Sequence, residues 1–352
     1  MDKIALITGI NGQLGHWLVM ELSRRGYEIH GFCRKNTEYF HPSGGTKVTI
    51  HRVDVMDEHS IQIAFNKIKP THIFHMAAFS SVAASFDNAT TVYETNIGGT
   101  LNILNAVMIC CPEARVFHPA SSECFGDTKV SPQTESTPFN PRNPYGVSKS
   151  AAFWTVKMYR QMYGIFATNG IMFNMESSFR NPEFLSKKLS RGIAEIAVGK
   201  RGELALGNID CYRDIMFAGD AASGIVDSLE HESPDDFLFS TGKYNSIREL
   251  CEVGFKAVNM PIEWGFDSDK GISNHFTEVG RKKGSGRILI RIDPKYYRPG
   301  EEHILVGNPA KARNILGWEA KTDAKDLIQR MVWYELGALP QSVHQTRCAQ
   351  AF

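Results

Sequence analysis

The sequence has no apolar run long enough to cross a bilayer as a helix. Its opening apolar stretch, Ile4-Ala5-Leu6-Ile7 after Met1-Asp2-Lys3, is too short for a secretory leader and has the length of a buried strand. A cytoplasmic location with no membrane partner is therefore expected. Charge of one sign is not in excess either, since 39 Lys and Arg balance 38 Asp and Glu. That balance argues against a surface built for nucleic acid or anionic lipid, although it is compatible with a local basic pocket. Cysteine is sparse and unpatterned. Its seven copies include the neighbours Cys110 and Cys111 but no CxxC pair with zinc-ligand spacing, and an odd count does not suggest a disulfide framework. No metal is expected, and the thiols read as buried or incidental in a reducing compartment. Internal repeats and low-complexity tracts are also missing. What is present is a chain of 352 residues, 42% hydrophobic, enough for one large or two medium domains with a sizeable core.

Short apolar runs alternate with helical patterns through the first half. Strands are predicted at residues 4–8, 27–33, 48–53, 72–76 and 115–120. Helices are predicted at 12–25, with Leu14, Trp17, Leu18 and Leu22 on one side, and at 60–69 and 91–109. Such alternation predicts an α/β fold with a doubly wound parallel sheet covered on both faces. After Phe173 the order changes. Residues 174–207, and those from 246 onward, read as helices, loops and short strands, whereas 217–240 reads as a return to the sheet. The expected division is 1–173 plus 217–245 for one domain and 174–216 plus 246–340 for a smaller, discontinuous α/β domain. Residues 341–352 form a polar tail expected to be loosely ordered.

The first strand runs into Thr8-Gly9-Ile10-Asn11-Gly12-Gln13-Leu14-Gly15. Glycines at this spacing allow a tight turn, and they let backbone N–H groups and a helix N-terminus approach a pyrophosphate. Glycines also serve ordinary turns. The position here, after a strand and before an amphipathic helix, favours a dinucleotide site and hence a Rossmann-type sheet. The second strand ends in Cys33-Arg34-Lys35 rather than in the acidic residue that bonds ribose hydroxyls. Two cations suit a 2′-phosphate, so NADP is expected over NAD, with a solvated basic turn as the alternative.

Tyr145-Gly146-Val147-Ser148-Lys149 places Tyr and Lys four apart, on one helical face, after Pro141 and Pro144, which fit a helix start. A nearby ammonium favours tyrosinate over phenol, so Tyr145 can take a proton from a substrate hydroxyl while hydride leaves the same carbon. Ser121-Ser122-Glu123 ends the strand beginning near Arg115, at the carboxyl edge where ligands bind in parallel sheets. Its hydroxyl can bond a reacting oxygen, and Glu123 can act as acid or base. Alone, the motif would read as a cap.

Together these segments resemble the extended short-chain dehydrogenase/reductases, and specifically the GDP-mannose 4,6-dehydratase family, up to about Glu335. The more specific signals are Phe173-Asn174-Met175-Glu176-Ser177, Lys187-Lys188-Leu189-Ser190-Arg191, Leu206-Gly207-Asn208-Ile209-Asp210, Arg213-Asp214 and Tyr296-Tyr297-Arg298-Pro299. The resemblance implies Tyr145 as base at the sugar O4, and Lys149 on the nicotinamide ribose. Ser121 stands where the family usually has threonine. Glu123 would remove the C5 proton and assist loss of water from C6. The NADP site would comprise Gly9, Asn11, Gly12, Gln13, Leu14, Gly15, Arg34, Lys35, Asp54, Val55, Met76, Ala77, Ala78, Ser80, Tyr93 and Arg180. Ser81, Asn174, Lys188, Arg213, Arg298 and Glu301 would hold the GDP-sugar, arginine forks suiting its pyrophosphate.

The implied reaction is redox-neutral. Hydride leaves C4 for NADP⁺, the ketone acidifies C5, water leaves from C6, and the hydride returns to C6. GDP-mannose would give GDP-4-keto-6-deoxymannose. Four positions depart from the family pattern: Leu14 for an acidic residue, Met175 for a histidine, Phe179 for the first of two arginines, and Phe79 for a glutamine. They fall around nicotinamide and sugar, so a variant GDP-sugar such as a heptose stays open. In relatives the loop of Arg34 and Lys35 helps join subunits, which implies a homodimer or homotetramer. An epimerase or 4-reductase on the same scaffold, and a non-catalytic NADP sensor, are the alternatives. The former usually lack an acid at the Glu123 position, and the latter commonly lose the Tyr/Lys pair.

Overall fold

The computed structural model describes residues 3–34, 47–267, 274–296 and 305–339. In chain order the first elements are β1 (Ile4–Thr8), α1 (Gln13–Arg24), β2 (Glu28–Cys33), β3 (Val48–Arg52), α2 (Glu58–Ile68), β4 (His72–His75), α3 (Val82–Ser85), α4 (Ala89–Tyr93), α5 (Gly99–Cys110), β5 (Arg115–Ser121), α6 (Pro144–Tyr163) and β6 (Ala167–Met172). They are followed by β7 (Asn174–Glu176), α7 (Leu185–Ala197), β8 (Leu204–Leu206), β9 (Tyr212–Arg213), β10 (Ile215–Phe217), α8 (Ala218–Glu230) and β11 (Asp236–Phe239). The last are β12 (Asn245–Ser246), α9 (Ile247–Ala257), β13 (Ile262–Phe266), β14 (Glu278–Lys282), β15 (Ile288–Ile292), α10 (Ala310–Leu316) and α11 (Ala324–Ala338). Among the described residues no helix is long and apolar enough to cross a membrane.

The chain divides into two compact units. The first holds Met1–Met175, Ala218–Gly242 and Leu305–Lys321. Its centre is a seven-stranded sheet ordered β11-β6-β5-β4-β1-β2-β3, with every neighbouring pair parallel. Strands buried on both faces are expected to be mostly apolar, and β1 (IALIT) is, whereas β4 and β6 carry buried polar residues, among them His75 and Asn169. On one face Leu6, Phe32, Ile73, Val116 and Ala167 meet Ile61, Phe65, Ile103, Leu104 and Val156 of the covering helices. Strand order reverses between β1 and β4, which opens a crevice at their carboxyl ends, where the glycine loop after β1 and residues 76–80 after β4 lie.

Two expectations are corrected here. The helix expected over 91–109 is broken: α4 ends at Tyr93, and a π turn over Glu94–Gly98 precedes α5. The wider turn delivers Asn96 inward, where its amide has partners, and hydrophobic period alone does not register one extra residue in a turn. Residues 305–321, expected in the second domain, pack on the first unit. Trp318 lies edge-on to Phe239 with ring centroids 4.9 Å apart, and its Nε1 donates to Asp220 O at 2.8 Å. Lys311 reaches Asp236 O at 2.9 Å. These contacts join segments far apart in the chain, beyond what local pattern reports.

The second unit holds Glu176–Phe217, Lys243–Ile304 and Thr322–Phe352. A sheet ordered β13-β14-β15-β8 supplies Leu204, Leu206, Ile262 and Ile290 to an apolar core shared with α7, α9 and α11. Ser246 and Glu249 form a capping box that starts α9.

Candidate active site

Helix α6 begins with Asn143, in extended backbone, ahead of Pro144 in the first turn. Asn143 Oδ1 accepts from Gly146 N at 2.7 Å, while its Nδ2 donates to Glu123 Oε2 at 2.8 Å. One side chain therefore starts the helix and orients the candidate acid–base group. Asn143 was not singled out in the sequence, although Asn directly before Pro at a helix start is a cap signal. Glu123 lies in a 3₁₀ turn over Ser122–Cys124, and Ser121 Oγ accepts from Glu123 N at 3.2 Å. That contact uses a lone pair of Ser121 and leaves its hydrogen to donate. Ser121 thus caps the turn and keeps a donor at the sheet edge.

Gly146 permits the close approach. A Cβ there would lie 2.6 Å from Glu123 O and 3.1 Å from Pro141 Cβ. Gly146→Ala is expected to displace the α6 start from Glu123 and lower turnover by about 10²-fold, as small misplacements of reacting groups do. Kinetics set beside a thermal melt check this, and unchanged turnover would show that the neighbouring backbone yields.

Tyr145 is half-buried in the first turn, and Lys149 is buried one turn on. Lys149 Nζ donates to Pro119 O at 2.7 Å, and burial pulls its ammonium down to about 8. Ser148 Oγ donates to Tyr145 O at 2.7 Å and accepts from Asn96 Nδ2 at 2.9 Å. Asn96 Oδ1 in turn accepts from Phe79 N at 2.8 Å. The π turn thereby ties the loop after β4 to α6. No signal in the sequence marked Asn96, because its role depends on that wider turn.

The glycine loop has the geometry a dinucleotide needs. Gly9 has φ +65°, and a Cβ on it would fall 2.9 Å from the Ala77 backbone. A Cβ on Gly15 would fall 2.3 Å from Ile10 O. Thr8 Oγ1 accepts from Ala77 N at 3.0 Å, fixing the two loops together. Both polar atoms of the Asn11 amide are buried with no hydrogen-bond partner among the described residues. Buried amides left so are costly, and a ligand with donors and acceptors satisfies them. The residues present therefore fit a dinucleotide.

Other predicted contacts have structural duties as well. Gln13 Nε2 donates to Met175 O at 2.8 Å. Leu14 is buried with Leu18 and Leu22 on α1, so its backbone N–H, not its side chain, is what a ligand can meet. Asp54 accepts from Met56 N at 3.0 Å, and the buried Val55 accepts through its carbonyl from Asn102 at 3.0 Å. Ser81 caps α3, accepting from Ala84 N at 3.2 Å. Gly12, Ser80 and Arg34 are exposed, and Tyr93 is partly so. Lys35, Arg298 and Glu301 lie outside the described residues.

Arg180, Lys188 and Arg213 belong to the second unit. Arg180 Nε is 3.3 Å from Glu176 Oε2, and its guanidinium lies 3.6 Å from the Phe184 ring centroid. Lys188 Nζ sits 3.3 Å from the Tyr296 ring centroid, and burial lowers its pKa. Arg213 donates to Tyr212 O at 2.8 Å on the β9–β12 ribbon. Asp210, His275 and Glu278 hold ligand-capable atoms within 4.8 Å of one another, but Arg248 grips both carboxylates at 2.6 to 3.1 Å. That pairing gives the carboxylates a structural role.

A parallel seven-stranded sheet with a glycine-rich first turn defines the class, a Rossmann-type α/β protein. A family model described as GDP-mannose 4,6 dehydratase matches residues 6–331. The chain is 37% identical over 344 residues to GDP-mannose 4,6 dehydratase of Dictyostelium discoideum, covering 94% of this chain and 95% of that one. It is 38% identical over 344 residues to the Drosophila melanogaster enzyme of that name, covering 94% and 85%. The chain belongs to the GDP-mannose 4,6-dehydratase family. In fold it is similar to UDP-glucose 4-epimerase of Thermotoga maritima, with TM-score 0.80, 19% identity and coverage of 96% and 100%. It is likewise similar to dTDP-glucose 4,6-dehydratase of Bacillus anthracis, with TM-score 0.74, 20% identity and coverage of 94% and 96%.

Proposed function

We propose that this chain is a GDP-sugar 4,6-dehydratase that converts GDP-mannose to GDP-4-keto-6-deoxymannose and water, with NADP as its resident cofactor. The observation that carries this reading is Glu123, tied through Asn143 to the start of the helix bearing Tyr145 and Lys149. Oxidation at C4 needs one acid–base group, and a second one serves elimination. When bound, the nicotinamide supplies a reversible hydride acceptor, taking the C4 hydride and giving it back at C6. Tyr145 takes the O4 proton as that hydride departs, helped by the Lys149 ammonium, while Ser121 donates to O4. The 4-ketone acidifies C5, and Glu123 removes that proton and passes one to the departing C6 hydroxyl. When the hydride is returned at C6, the C5 position takes up a proton, balancing the one Tyr145 took from O4. One water is lost, and no net oxidation occurs.

Incubation with GDP-mannose should give a product lighter by one water. No such loss across GDP-hexoses and GDP-heptoses would overturn the reading. Epimerisation or net reduction without loss of water would instead favour the alternatives on this scaffold.

The preference for NADP is supported by Arg34 at the end of β2. Arg34→Ala is expected to weaken NADP binding by about tenfold or more, the worth of one charge-assisted contact, and to leave NAD binding unchanged. Calorimetric titration of both dinucleotides decides it, and equal losses would remove Arg34 from 2′-phosphate recognition.

The reading includes self-association. Val147, Trp154, Met158 and Met162 recur at helical spacing on α6 and are exposed, Trp154 by 57% and Met162 by 73%. An apolar stripe of this kind suits burial against a second copy.

A further inference from the structure

Five strands of the central sheet each place a polar residue at one level, on the face covered by α6. They are Thr8 on β1, His75 on β4, His118 on β5, Asn169 on β6 and Asp236 on β11. Thr8 is opposite His75, and Asn169 is opposite both His118 and Asp236. Phe74 opposite Phe117 puts His75 and His118 side by side one residue later. Two residues back along the strands, Leu6, Ile73, Val116 and Ala167 belong to one apolar cluster. Two residues on, Ala120, Ile171 and Leu238 belong to another. The five form a polar layer enclosed between apolar ones, all of them buried.

Such a layer is tolerated only if its groups are paired. Thr8 Oγ1 accepts from Ala77 N and lies 2.9 Å from His75 Nδ1. Asn169 Nδ2 donates to Asp236 Oδ1 at 2.9 Å and to Phe153 O at 3.2 Å. Its Oδ1 is therefore the atom 3.0 Å from His118 Nδ1, and that nitrogen carries the proton. Arg160 Nη2 closes the row on Asp236 Oδ2 at 2.9 Å. Lys149, Phe153 and Arg160 share one side of α6, so the row indexes the helix onto the sheet.

Lys149 Nζ donates to the carbonyl of Pro119, the residue after His118, and His75 lies beside His118 on β4. Besides Tyr145 one turn earlier on its own helix, the titratable groups around Lys149 are His75 from β4, His118 from β5 and Cys124 from the turn after β5. All three are neutral. Burial drives His75 down to about 3 and His118 well below its ordinary range, with the Lys149 charge reinforcing both, while burial raises the Cys124 thiol. A buried ammonium bonded to one carbonyl needs further polar lining.

We propose that His118 and His75 are positioning residues for Lys149, two neutral imidazoles that supply the polar lining in which its ammonium persists. The proposal rests on Lys149 acting with Tyr145 in the dehydration. The pH profile of kcat/KM on the intact enzyme tests it. The wild type should lose activity as Lys149 gives up its proton near about 8. His118→Leu should move that alkaline limb down by about one pH unit, since poorer lining disfavours the charge. His118→Gln, whose amide can donate to Asn169, should restore part of the shift. Asp236→Asn, at the far end of the row, should lower Tm and leave the limb in place. In the wild type, nitrogen-15 NMR should show His118 as the neutral Nδ1–H tautomer, with neither imidazole titrating between about pH 5 and about pH 8.5. An unmoved limb in His118→Leu, or an imidazole that titrates in that interval, overturns the proposal. Full turnover by Lys149→Met would instead overturn the role of Lys149, whatever the NMR result.

Discussion

Glu123→Gln is expected to slow loss of water from GDP-mannose by about 10²–10⁴-fold, the usual worth of a positioned acid–base group. The substitution is nearly isosteric, and a glutamine carbonyl oxygen can still accept from Asn143 Nδ2, so the α6 start should stay in place. What disappears is the capacity to take a proton from C5. The distinguishing measurement is isotopic. In heavy water the wild type should incorporate deuterium at C5, and the variant should not, while Tm stays close to that of the wild type. Turnover within about threefold of wild type would remove Glu123 from the chemistry, because a lost proton-transfer group costs far more.

Tyr145→Phe should cost as much but stop the reaction earlier, at C4 oxidation, with no deuterium entering C5. The Lys149 partnership adds a pH dependence whose sign differs between activity and stability. Burial lowers the Lys149 pKa from its ordinary 10.5 to about 8, so the native state binds this proton less tightly than the unfolded chain. Between these values the unfolded chain holds a proton that the native protein lacks, and this group's contribution to stability rises with pH. Activity runs the other way, because the ammonium that favours tyrosinate is lost as pH climbs through about 8. The shift corresponds to about 3 kcal/mol held against folding at neutral pH. Lys149→Met should therefore raise Tm while lowering turnover by about 10²-fold or more. A lowered Tm together with unchanged turnover would contradict both halves of the argument.

The parts of the fold legible in the sequence are those written in local patterns. The strands ending at Thr8 and Ser121 and the helix after Gly12 follow from short apolar runs and an amphipathic stripe. The π turn at Glu94–Gly98 was not legible, since one added residue hardly alters hydrophobic period. Nor was the return of residues 305–321 to the first unit, which Trp318 and Lys311 bring about through contacts on β11 and α8. Local pattern gives no particular weight to His75 or His118 within their strands. Their significance comes from register, which aligns them with each other and with Asn169.

The sequence by itself determined the glycine loop, the Tyr145–Lys149 pair four residues apart and the Ser121–Glu123 segment at a strand end. Each is set by spacing within one turn or one strand, so chain geometry alone brings its members together. The tertiary structure decided what surrounds them. Asn143 meets Glu123 across 20 residues, Asn96 meets Ser148 across 52, and Asn169 meets Asp236 across 67. Those meetings depend on strand register and helix placement, which are settled by burying the whole apolar surface at once rather than by any local run of residues.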